Sequence, residues 1–139
     1  MSIDPGQINF LAVLVAAVAM FTIGGVWYGL LFAKRWAEVH GYTDEQLQAM
    51  AKTQRRNFAI FFVSDLVMGV ILSLLIINLD IQSAIQGAGL GLVIWFGIAA
   101  TIGACKNAAN NKPLAAFVID TGHELTALVV MGMILGAWR

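Results

Sequence analysis

The chain has 139 residues, of which 60% are hydrophobic and only 12% charged, and its formal net charge is zero. A soluble domain carries about twice that charged fraction, so the composition argues against a water-soluble fold. With no excess of basic residues, a nucleic-acid partner is not expected.

The charges are also segregated. None falls from Pro5 through Ala33, and none from Ile81 through Cys105. About 20 apolar residues cross the hydrocarbon core of a bilayer, so both runs are long enough. Phe58 to Leu79, interrupted by Asp65, and Leu114 to Trp138 make a third and a fourth. The expected fold is all-α: a four-helix transmembrane bundle, one domain over residues 1–139, with helices at about 8–32, 44–79, 84–105 and 114–138. The first run could be mistaken for a secretory signal, because Ala17 to Ala19 reads "AVA". Its flank offers Asp4 and no basic residue, and the run continues past the usual length of such a region, so a membrane span is expected instead.

In helix one, Gly25 and Gly29 form a small-xxx-small pair that would let another backbone approach closely. Trp27, Tyr28 and Trp36 follow near the expected boundary, where amphipathic rings anchor a helix to the membrane interface. Gly41 then breaks the chain. Thr43 with Gln46 fits a capping box, and Asp44 and Glu45 occupy the first turn, where negative charge suits the helix dipole. Neither Gly nor Pro occurs from Thr43 to Met68. Helix two is therefore expected to start outside the bilayer and run unbroken into it, a rod of about 54 Å from Asp44 to Leu79 at the α-helical rise. A separate surface helix over the first part is the alternative. Arg55 and Arg56 sit at headgroup level in either case.

Helix three carries "GAGLGLVIWFG", in which Gly87 and Gly91 begin a close-packing face. These glycines follow no strand and lie in an apolar span, so a phosphate loop is not indicated. Pro113 suits the first turn of helix four, and Gly132 and Gly136 give that helix a packing pair. The basic residues fall on the two segments joining helices one to two and three to four, seven against Arg139 alone on the other side. The positive-inside rule then puts both segments in the cytoplasm and both termini outside. Cys105, the sole cysteine, cannot form an intrachain disulfide and is expected as a small buried hydrophobe.

"FVIDTGHELTALVV", from Phe117 to Val130, places Asp120, His123 and Glu124 inside helix four. Two acids there cost about 5–7 kcal/mol on an insertion scale, against about 3–6 kcal/mol recovered from ten Leu, Ile, Val and Phe residues. Something must pair the acids, neutralise them or keep water beside them. At i, i+3 and i+4 the three share a helix face. Asp65 on helix two and Asp120 on helix four each lie about 10 Å from the start of their spans at the α-helical rise, with Thr22 and Thr101 at comparable depth. One polar layer built from all four helices is expected.

That layer supports competing readings. Asp65, Asp120, His123 and Glu124 would form a cation or proton pathway, since intramembrane ionisable residues mark such routes. The alternative is interhelical packing glue in a structural or partner-binding membrane protein. No cofactor is expected, although imidazole and carboxylates from His123, Asp120, Glu124 and Asp65 would suit a divalent metal. "HELTA" lacks the second His of a zinc-protease motif, no nucleophile–base pair can be assigned, and an enzyme is not expected. His40, beside the surface segment, is expected to be solvated.

The order of Gly24, Trp27, Tyr28, Phe32, Lys34, Trp36, Gly41 and Thr43, with Gly132, Gly136 and Trp138 at the close, resembles domain-of-unknown-function family 1761, small bacterial membrane proteins. The resemblance implies a four-helix integral protein of the bacterial inner membrane and supplies no activity. His123 after Gly122 departs from the family pattern, which often has an uncharged aromatic there. The lipid bilayer and further copies of the chain, joined through glycine-rich faces, are the expected partners.

Overall fold

A computed structural model describes residues 4–138, and every regular element within them is helical. Four helices are long and apolar enough to cross a membrane: Phe10–Leu31, Gln54–Asn78, Ala84–Ala109 and Leu114–Ala137. They are called spans one to four below.

Span one begins as α1 (Phe10–Val26), capped by the Asn9 side chain, which accepts from the Ala12 amide. It then widens into a π-helical turn, Trp27–Leu31. Phe32 leaves helical geometry, and a separate α2 (Ala33–His40) follows. The capping box at Thr43 and Gln46 opens α3 (Asp44–Lys52). The expected continuous rod does not form. Thr53 separates α3 from α4 (Gln54–Asn78), its hydroxyl donating to the Met50 carbonyl and accepting from Asn57. A threonine hydroxyl competes with the helical ladder for these groups, which lets a helix stop without Gly or Pro.

Span three is α5 (Ala84–Ile94), a second π-helical turn Trp95–Ala99, and α6 (Ala100–Ala109), a few residues longer than the sequence suggests. Span four is a single α7 (Leu114–Ala137) with Pro113 at its N-cap. The two π turns share a pattern, Trp27, Tyr28, Gly29, Leu30 against Trp95, Phe96, Gly97, Ile98. Such turns interrupt the regular ladder and often occur at functional sites.

Helices α2, α4 and α6 end alike. Gly41, Asp80 and Asn111 adopt positive φ, and the following amide bonds back five residues: Tyr42 to Ala37, Ile81 to Ile76, Lys112 to Asn107. This is the Schellman arrangement, which favours Gly and tolerates short polar residues at the left-handed position.

Packing centres on α7. At the end opposite the basic segments, Ala12, Val13 and Ala16 of α1, Leu72 and Ile76 of α4, and Met131 and Leu135 of α7 fill the core. α5 crosses α7 at backbone contact. A Cβ at Gly87 would strike the Gly132 carbonyl, at Gly91 that of Leu128, and at Gly136 that of Ser83. Small residues permit this approach, where dispersion and weak Cα–H···O contacts hold helices together. Gly25 and Gly29 behave differently. A Cβ at either would meet nothing within 4 Å, so the packing pair expected in span one has no partner among the described residues. Cys105 is exposed, contrary to the buried role expected of it.

Candidate functional site

The site lies at the basic end, around the first turns of α7. Asp120 is its hub. Tyr28 donates its hydroxyl to Asp120 Oδ1 at 3.1 Å, and Trp36 donates its indole N–H to the same oxygen at 3.1 Å. His40 Nε2 lies 2.9 Å from Oδ2. One carboxylate of span four thus ties down the π turn of span one and the C-terminal half of α2.

The local sequence produces this grip. Trp36 and His40 are four residues apart, so they project from one face of α2. The Schellman end at Gly41 folds Tyr42 back against them. Its ring lies 5.0 Å from Trp36 and 5.6 Å from His40, stacked on the latter. Lys112 Nζ donates to the His40 carbonyl and fastens the same corner to the turn before α7. Val39, Ala116 and Ile119 form a small apolar cluster beneath it.

Three sequence expectations change here. Trp27, Tyr28 and Trp36, expected as interface anchors, turn their polar atoms inward. Trp27 donates to the Ile119 carbonyl at 2.9 Å, and Tyr28 and Trp36 hold Asp120. His40 is not solvated, with its side chain only 14% exposed. The expected layer from four helices does not assemble. Thr22 and Thr101 are exposed and bond to carbonyls of their own helices, while Asp65 is buried on α4, away from the cleft described below. Arg55 and Arg56 are exposed near the start of span two.

Both π turns act on α7. Trp95 donates to the Thr121 carbonyl at 2.7 Å, mirroring the Trp27 bond to Ile119. The carbonyls on either side of Asp120 each receive an indole from a different span. An indole N–H in an apolar setting needs an acceptor, and a helix carbonyl has a second lone pair to offer.

His123 and Glu124 differ from Asp120. Among the described residues, the buried side-chain polar atoms without a hydrogen-bond partner are His123 Nε2 and Glu124 Oε2. His123 is enclosed by the rings of Tyr28, 5.0 Å away, and Trp27, 6.2 Å away, next to Gly24, where a Cβ would approach Nε2 to 3.3 Å. Glu124 lines a cleft of about 460 Å³ that also exposes Asp120, Tyr28, Lys106, Asn110 and Lys112. Among the described residues, no group of three or more His, Cys, Asp or Glu side chains could hold a metal ion. The divalent site conceived from His123, Asp120, Glu124 and Asp65 therefore finds no support.

Among the described residues, fold and site define an all-helical protein with four helices long and apolar enough to cross a membrane and a polar cleft at one end of the fourth. The family described as "Protein of unknown function (DUF1761)" matches residues 11–136, and the chain belongs to that family. No curated protein and no solved structure matches the chain.

Proposed function

We propose that the chain is a four-helix bundle integral to the bacterial inner membrane, and that it moves a proton or small cation loaded from the cytoplasm onto Glu124 and His123. The observation that carries this reading is the cleft itself. It leads from the basic end to Glu124, whose Oε2 is buried without a protein partner. Glu124 lies ten residues beyond Leu114, about 15 Å along the helix and so near the middle of a bilayer. Leaving such a group unpaired costs more than a hydrogen bond contributes, which is tolerable where the group meets a cargo.

Seven of the eight basic residues at the cleft end support a cytoplasmic opening. The opposite half is filled by the apolar core of α1, α4 and α7, which supports access to Glu124 from one side. The exposed Gly25 and Gly29 offer a second copy the close approach that nothing among the described residues uses. Packing glue describes Asp120 better than transport does, since three donors already satisfy it. The cluster read as one unit in the sequence is thus divided into a holding carboxylate and a loading one.

The test is flux in liposomes containing the purified protein, followed with an internal pH dye and with cation-sensitive dyes, beside the Glu124→Gln variant. The reading requires flux in the native protein and its loss in a variant that elutes as the same species. Equal flux in both would remove Glu124 from the pathway.

A further inference from the structure

The cleft has room for more than a bare ion and is divided by charge. Pockets of about 300–1,000 Å³ are the size class of small organic ligands, and this one measures about 460 Å³. Its inner wall carries Asp120 and Glu124, with the ring of Tyr28 beside them. Its outer wall, on α6 and the turn into α7, carries Lys106 and Lys112 with Asn110. The opposed charges do not close on each other. Among the described residues, the ion pairs within 4.0 Å are Arg35–Glu38 and His40–Asp120.

Two lysines and two carboxylates around one cavity favour a ligand that carries both charge signs over one of a single sign. A simple cation finds only the carboxylates complementary, and a simple anion only the lysines. A molecule with a cationic group leading and an anionic group trailing meets opposite charge at each end. The inner end suits an ammonium group: Glu124 Oε2 has no protein donor, and the Tyr28 ring adds a face to which a cation is attracted. At the outer end, Lys106 is exposed and lines the cleft, and Lys112 keeps two further N–H donors beyond the one given to the His40 carbonyl.

We propose that the cleft binds a small zwitterion, its ammonium on Glu124 and its phosphate or carboxylate on Lys106 and Lys112. This rests on the reading of Glu124 as the loading group and names the class of molecule that brings the cation. The same chemistry is carried by a free solute such as phosphoethanolamine and by the headgroup of phosphatidylethanolamine.

The test is calorimetric titration of the detergent-purified full chain with O-phosphoethanolamine, ethanolamine and inorganic phosphate. The zwitterion is expected to bind at least tenfold more tightly than either half. Glu124→Gln should remove that advantage over phosphate, and Lys106→Ala should remove it over ethanolamine. Lys106 is exposed on α6, so its variant keeps the question open to an answer should Glu124→Gln fail to fold. Repeating the titration in nanodiscs separates the two sources. Loss of phosphoethanolamine binding in phosphatidylethanolamine discs, but not in phosphatidylglycerol discs, identifies the lipid as occupant. Binding in both identifies a solute. Ethanolamine or phosphate binding as tightly as the zwitterion, or no binding by any of the three in detergent with no difference between discs, would overturn the proposal. Proton flux without zwitterion binding would leave the transport reading standing alone, and binding without flux would do the reverse.

Discussion

Replacing Asp120 tests how much of the basic end depends on one carboxylate. In Asp120→Ala the Tyr28 hydroxyl, the Trp36 indole and the His40 imidazole all lose their acceptor. Hydrogen bonds to a charged partner contribute about 1.5–3 kcal/mol each when buried. The Asp120 side chain is 35% exposed to the cleft, so water replaces part of each bond and about 1 kcal/mol per donor is the better figure. The expected loss is then about 3 kcal/mol, or about a hundredfold in local opening. Asp120→Asn should behave differently. Its amide oxygen can accept from Tyr28 and Trp36 while its nitrogen donates to His40 in the other tautomer, leaving a deficit of about 1 kcal/mol from the lost charge. Hydrogen exchange of the α2 amides, read by mass spectrometry in detergent, measures both. The alanine variant should exchange about a hundredfold faster in α2, and the asparagine variant less than tenfold. Unchanged α2 protection in Asp120→Ala would refute the reasoning, because α2 would then be held by its apolar contacts alone.

The α5–α7 crossing should tolerate no side chain. Gly91→Val drives a Cβ into the Leu128 carbonyl and is expected to cost about 1–3 kcal/mol or more in detergent stability, whereas Gly89→Ala, which meets nothing within 4 Å, should be neutral. Trp95→Phe keeps most of the ring and removes the donor to the Thr121 carbonyl, so a loss of about 1 kcal/mol in thermal unfolding is expected, with little change in oligomeric state. Cys105 is exposed beside Lys106 at the basic end. A membrane-impermeant maleimide should label it in inverted inner-membrane vesicles and not in intact cells; the opposite result would reverse the proposed orientation.

The four long apolar helices were legible because the length that could cross a bilayer is written as uncharged runs; Ala84–Ala109 follows from the run that ends at Cys105. The π turns were not, since they depend on where the indoles of Trp27 and Trp95 find acceptors on α7, a tertiary matter. The break at Thr53 was hidden for a related reason: its signal is a hydroxyl bonding locally, with no Gly or Pro to announce it.

The site was half legible. The spacing of Asp120, His123 and Glu124 placed polar groups on α7, but depth arithmetic fixes a level along the helix axis and says nothing of the direction around it. Asp65, expected at the level of Asp120, is buried on α4 away from the cleft that Asp120 lines. The partners that matter, Trp36 and His40, were visible as an i, i+4 pair of ring N–H donors. Aromatic residues near a span end usually face the interface, and that prior outweighed the simpler fact that a buried carboxylate needs donors.

The division of labour between the two acids can be measured directly. Native protein in detergent is treated with a hydrophobic carbodiimide, which adds to protonated carboxyl groups in apolar surroundings, and the modified residues are mapped by mass spectrometry. With three donors on Asp120 and none on Glu124 Oε2, modification should fall on Glu124 and spare Asp120. Modification of Asp120 with Glu124 untouched would contradict the account at its centre.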